Sequence, residues 1–258
     1  MTDLLGHLER ARAGGRKMLV PYVMGGIPDP ESWLQALQAV SADADAVEVG
    51  LPYSDPLMDG PLIAAAGERA IRSGLGPLEV LAYRHEDGHG APRVVMTYYN
   101  PVHAVGDEEF CRRAAAAGYA GLIVPDIPLE ESSGLRRAAA RSGVAWIPLV
   151  APTSPPERVE RICAAATGFV YAVSTLGVTG ARASLSERAA RVVSACRRAT
   201  DLPVLVGIGI TTAEQASAAA VEADGVVIGS AVVRRLLEGG APEAAAFLAE
   251  VRSALDRA

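Results

Sequence analysis

Short runs rich in Val, Ile and Leu alternate along the chain with Ala-, Arg- and Glu-rich stretches whose apolar positions recur at helical spacing. Eight strand-like runs can be counted, at 18–24, 46–50, 93–97, 121–124, 145–149, 169–173, 203–207 and 225–229. Helical stretches follow them near 30–42, 61–73, 107–117, 129–142, 155–166, 186–199, 212–222 and 241–256, and a polar amphipathic segment over 2–13 precedes the first. Strands this short and apolar on both faces are the mark of a parallel sheet covered by helices, whose neighbours are joined by right-handed crossovers.

Eight such repeats in 258 residues predict a (β/α)8 TIM barrel with an extra N-terminal helix, one domain spanning 1–258. A doubly wound open sheet is the rival. It usually has fewer strands and a glycine-rich turn after the first one, whereas the first strand here ends in MGGIPDP, which is no dinucleotide fingerprint. No linker or low-complexity segment divides the text.

Composition narrows the function more than the fold. Half of the residues are hydrophobic and 21% charged, which excludes a disordered chain and a disulfide-stapled miniprotein. A net charge of −6 with no basic run argues against binding a phosphate backbone. The apolar runs stop well short of the ~20 residues that span a bilayer. No signal peptide is legible before the first helix, and Cys111, Cys163 and Cys196 are odd in number and widely spaced, as expected of buried thiols in a reducing cytoplasm. Lys17 is the sole lysine, so a Schiff-base mechanism would have to use it.

In such barrels the active site lies at the C-terminal ends of the strands. The second strand reads Ala46-Val-Glu-Val-Gly50, and its period of two sets Val47 and Val49 on the helix side and Glu48 toward the lumen. A desolvated carboxyl there has a raised pKa and can hold a proton near neutrality, although a structural salt bridge would also suit it. The following loop, 51–61, adds Asp55 and Asp59; Asp59-Gly60-Pro61 equally reads as a helix start with Asp59 as N-cap. Glycines end the last three strands, in Gly177-Val-Thr-Gly180, Gly207-Ile-Gly209 and Gly229-Ser230, with Thr211 and Ser230 near helix caps. Backbone amides at such a corner suit a phosphate. The Gly/Thr/Ser-rich segment from Ser174 to about Ser186 suits a lid. His85 and His89, in RHEDGHG, precede strand three and so belong to the opposite end; no metal site is expected. Trp33, Met96 and Trp146 read as core.

The segment VEVGLPYSDPLMDGP strongly resembles the signature of the tryptophan synthase alpha subunit family, and VPYVMGGIPDPE, VVMTYYNPV, GLIVPDIPLEE, FVYAVSTLGVTGAR, VGIGI and GVVIGSAVV extend the likeness over nearly the whole chain. The resemblance implies a cofactor-free retro-aldol cleavage of indole-3-glycerol phosphate to indole and glyceraldehyde 3-phosphate on a (β/α)8 barrel. It makes Glu48 the general acid/base and Asp59 the acceptor of the indole N–H. Gly180, Gly209, Gly229 and Ser230 match phosphate-binding positions, Thr179 the lid residue that orders Asp59, and Tyr22, Tyr98 and Tyr171 the indole pocket. It further implies an alpha2beta2 heterotetramer in which pyridoxal phosphate belongs to the beta subunit alone, docked near Pro52, Asp55 and Pro56. Tyr22 departs from the Phe of many relatives, and Ala64-Ala65-Ala66, Thr175 and Leu176 also vary. Two other readings compete: a stand-alone lyase that releases free indole, and a catalytically silent barrel that activates a partner.

Overall fold

A computed structural model describes residues 3–83, 90–173, 182–207 and 209–257. In chain order its first half comprises α1 (Leu4–Ala13), β1 (Met18–Met24), α2 (Trp33–Ser41), β2 (Val47–Gly50), α3 (Pro61–Arg72), α4 (Pro77–Ala82), β3 (Arg93–Met96), α5 (Tyr99–Val105), α6 (Asp107–Ala116) and β4 (Tyr119–Ile123). The second half comprises α7 (Ser133–Ser142), β5 (Ala145–Trp146), β6 (Leu149–Val150), α8 (Pro156–Ala165), β7 (Val170–Val173), α9 (Arg182–Ala199), β8 (Val204–Gly207), α10 (Ala213–Ala220), β9 (Gly225–Ile228), α11 (Ser230–Glu238) and α12 (Gly240–Leu255).

All strand pairs are parallel, in the order β5-β4-β3-β2-β1-β9-β8-β7-β6. The two end strands are halves of one stave, interrupted only by Ile147 and Pro148, so the sheet closes on itself as a (β/α)8 barrel. The fifth of the eight expected strands is thus observed as two. Proline has no N–H to give to a ladder. Its carbonyl still accepts from Tyr171 N at 3.1 Å, and Ile147 N donates to Leu122 O at 3.0 Å, which pins both sides of the break.

Alternation along the strands sorts the core into two shells. Met18, Val20, Ala46, Val94, Leu205 and Val227 face the lumen, while Leu19, Val23, Val47, Val49, Val95, Val204, Val206 and Val226 pack under the helices. The bottom of the lumen is stoppered by α1, whose Leu4 and Leu8, one turn apart, belong to the inner shell. Asp3 starts that helix by accepting from Gly6 N at 3.1 Å. Gly121 leaves room for the stopper, since a Cβ there would lie 2.9 Å from Leu4 Cδ2. At the same end the buried Asp45 carboxylate accepts from Leu19 N at 2.8 Å, Arg16 Nε at 2.6 Å and Arg252 at 3.1 Å, tying α12 to the base of β1.

Two helices have no counterpart in the sequence expectation, α4 and α5, each under two turns, which leaves too few residues for a helical period to register; α11 begins where Ser230 marked a helix start. His103 lies within α5. All three cysteines are buried and free. No helix among the described residues is long and apolar enough to cross a membrane.

Leu8 is wholly buried, so Leu8→Ala removes the stopper's deepest side chain and is expected to lower stability to denaturant by about 2–5 kcal/mol. Chemical unfolding followed by circular dichroism checks this.

Candidate active site

Glu48 stands on the same face of its strand as the luminal Ala46, one step nearer the mouth, and is 1% exposed. Its Oε2 has no hydrogen-bond partner. Burial is the first cause, and the nearby Asp59 carboxylate the second, of a pKa pushed up to about 8. Among the described residues no cation offsets that shift, and none of them forms the structural salt bridge weighed from the sequence. The shift favours the protonated carboxylic acid at neutral pH.

Around it stand three tyrosines. Tyr22 pairs with Glu48 across the β1–β2 register, and its hydroxyl reaches over Gly50, where any Cβ would collide with it. Tyr171 leans over Gly207 in the same way. The Tyr22 phenol is held well above its usual pKa by burial first and then by Asp59, Glu48, Tyr98 and Tyr171, which places all five groups in one space. Burial and Glu48 likewise raise Tyr171. The Gly207 of the expected phosphate corner therefore serves aromatic packing on its luminal face.

Asp59 does not cap α3. Gly60 holds the N-cap position, no side chain caps the helix, and Pro61 follows at N1. The half-buried Asp59 carboxylate is instead hydrogen-bonded by the Tyr98 hydroxyl, which also accepts from Met58 N at 2.9 Å. Burial raises the Asp59 pKa and the Tyr98 bond pulls it back. Glu48 has no such compensation, so of the two acids it is the one that keeps its proton.

At the phosphate corner Gly229 is the N-cap of α11 and lies beside Tyr22, with a Cβ there 3.7 Å from Tyr22 Cβ. Ser230 is exposed and is the first helical residue rather than a cap. Gly209 is exposed, with open space where a Cβ would stand. Thr212, not Thr211, caps α10 by accepting from Gln215 N at 3.3 Å, because Thr211 is engaged by Gln215 Oε1. Thr179 and Gly180, with the rest of the expected lid up to Ala181, lie outside the described residues, as do His85 and His89. Lys17 sits at the stoppered end, its Nζ donating to Ala223 O at 2.9 Å.

In the acidic loop Pro52 is buried, Asp55 exposed and Pro56 half-buried. Solvent instead meets Leu57 and Met58, 84% and 49% exposed, which the sequence reading passed over. Two adjacent apolar residues in a loop were the available signal. Tyr53 and Asn100, linked by a bond from Asn100 Nδ2 to the Tyr53 hydroxyl of 2.8 Å, were also missed. Among the described residues no group of three or more His, Cys, Asp or Glu could hold a metal.

A closed barrel with a desolvated acid at its mouth and a second acid in the adjoining loop defines a barrel equipped for acid–base chemistry. The family model for the tryptophan synthase alpha chain matches residues 8–255. The chain is 45% identical to the tryptophan synthase alpha chain of Streptomyces avermitilis over 95% of its length and 89% of the relative's. It is 47% identical to that of Carboxydothermus hydrogenoformans over 86% and 84%. Among solved structures, the tryptophan synthase subunit alpha of Legionella pneumophila superposes with a TM-score of 0.90 at 32% identity, covering 100% of both chains. A chain of Mycobacterium tuberculosis tryptophan synthase gives 0.89 at 39% identity and 98% coverage of each. The chain belongs to the tryptophan synthase alpha chain family.

The raised Glu48 pKa has a consequence for stability. An acid whose folded pKa exceeds its unfolded value of about 4.5 binds more protons folded than unfolded, so its share of stability is full below that pH and is lost as pH rises through about 8. Glu48→Gln, which cannot ionise, is therefore expected to gain melting temperature relative to the parent as pH climbs from 4.5 toward 8, and the gap should level off above. Parallel thermal melts at pH 4.5, 6, 7 and 8.5 measure it, and a gap constant with pH would contradict the assignment.

Proposed function

We propose that this chain cleaves indole-3-glycerol phosphate to indole and glyceraldehyde 3-phosphate in tryptophan biosynthesis, with Glu48 and Asp59 as its reacting carboxyls. The observation that carries the assignment of roles is the buried Glu48, one oxygen unpaired and its pKa pushed up, beside a second acid held by Tyr98. Glu48 gives its proton to the indole C3 carbon, which turns the ring into an electron sink. Asp59 accepts a hydrogen bond from the indole N–H and stabilises the positive charge that develops there. The glycerol hydroxyl then returns a proton to Glu48 as its carbon becomes an aldehyde. The carbon–carbon bond breaks, its electron pair restores the aromatic ring, and the acid is regenerated without a cofactor.

Tyr22, Tyr98 and Tyr171 wall the indole ring, and the phosphate is held by backbone amides at Gly180, Gly209, Gly229 and Ser230. The first amides of α11 support the last of these, since a helix start leaves N–H groups with no partner inside the helix. Thr179 takes the role that the family likeness gives it, ordering Asp59. The partner is a tryptophan synthase beta chain in an alpha2beta2 assembly, where pyridoxal phosphate belongs to the beta chain. The exposed Leu57 and Met58, next to Asp55 and Pro56, support docking at this loop, because a partner that covers them also fixes the segment that carries Asp59.

Purified protein with indole-3-glycerol phosphate is expected to release indole slowly alone and faster with a tryptophan synthase beta chain. A rate already saturated without the beta chain would assign a stand-alone lyase. Glu48→Gln is expected to lower turnover by at least ~10²-fold while glycerol phosphate still binds by calorimetry; parental turnover in that variant would remove Glu48 from the chemistry.

A further inference from the structure

The loop that carries Asp59 is tied to the barrel at two places, and both ties run to the same short segment at the end of β3. At its far end, Met58 N and the Asp59 carboxylate meet the Tyr98 hydroxyl. At its near end, the Tyr53 hydroxyl accepts from Asn100 Nδ2 at 2.8 Å. The rings of Tyr53 and Tyr98 complete the bracket, their centroids 5.3 Å apart and their planes inclined by 32°. The segment itself is anchored from the next stave, because Tyr99 N donates to Asp126 Oδ1 at 2.9 Å. Leu57, between the two ties, and the Met58 side chain face solvent, so the loop's tip has little of its own chain to rest on. The position of Asp59 thus depends on where the Tyr98 ring sits, and Tyr53 is the neighbour that sets it from the loop side.

We propose that Tyr53 and Asn100 are positioning residues for the cleavage reaction, a strut that holds Tyr98 against Asp59 and so keeps that carboxylate aimed at the indole N–H. This rests on the reading of Asp59 given above. The strut acts through the contact of the Tyr53 ring with Tyr98. An aim fixed in advance matters most when charge develops on the ring, so its loss falls on turnover rather than on substrate capture.

The test uses the full chain with indole-3-glycerol phosphate in the presence of a tryptophan synthase beta chain. Tyr53→Phe keeps the ring and loses the bond; it is expected to lower kcat about 2- to 5-fold with KM unchanged, within the range of one neutral hydrogen bond. Asn100→Ala should give the same loss, and the double variant should be no worse than either, since the two act as one unit. Tyr53→Leu, which also removes the ring contact, should fall further, to about 10-fold. Parental kcat in Tyr53→Phe, losses that multiply in the double variant, or a rise in KM alone would each overturn the strut. Asp59→Asn is assayed alongside: if it turns over at the parental rate, the reading of Asp59 fails, whereas a large loss there with parental Tyr53→Phe fails the strut alone.

Discussion

A carboxyl group held in the mouth of a closed barrel with one oxygen unpartnered is the constraint from which the rest of the site follows. Taking a carboxylate out of water costs far more than one hydrogen bond returns, so the group stays protonated instead. The fold tolerates this because Glu48 is carried on a strand clamped between β1 and β3, where the register leaves the side chain no route to solvent. The same rigidity keeps Asp59 close enough to raise Glu48 further, while Tyr98 moderates Asp59 itself. Two acids in one space thus become unlike through their surroundings, one desolvated without compensation and the other moderated by a phenol.

The barrel separates what stabilises it from what it does. Its lower end is filled by Leu4 and Leu8 of α1 and laced by the Asp45 carboxylate to Arg16, Arg252 and the Leu19 amide. Its upper end carries an unpaired acid, helix starts and a loop whose apolar tip stands in water. Burial at the base offsets the cost of exposing and desolvating groups at the mouth, a division common to folds of this class.

Most of the barrel could be read from the text because parallel strands buried on both sides are continuous apolar runs: β1, β3 and β8 fall within a residue of their expected bounds. The orientation of Glu48 was legible for a related reason, as the branched Val47 and Val49 that flank it both lie under the helices. The break at Pro148 needed the ladder to be seen, since a proline in an apolar run can also sit at a strand's start. Asp59 was ambiguous because Asp-Gly-Pro satisfies helix-start statistics whether or not the carboxylate turns back to the helix. What decides it is a tyrosine 39 positions away, and no local pattern reports such a contact. The Tyr53–Asn100 bond was invisible on the same ground.

Gly50 and Gly207 give the roof of the lumen a further property. Each leaves vacant the volume that a neighbouring phenol fills, Tyr22 over the first and Tyr171 over the second. Backbone and ring therefore form two interchangeable volume pairs, in which the glycine is obligatory only for as long as its aromatic partner remains large. Reshaping this chamber for bulkier ring systems thus begins at the phenols, whose truncation frees space without moving a strand. Enlarging either glycine becomes sterically admissible only afterwards.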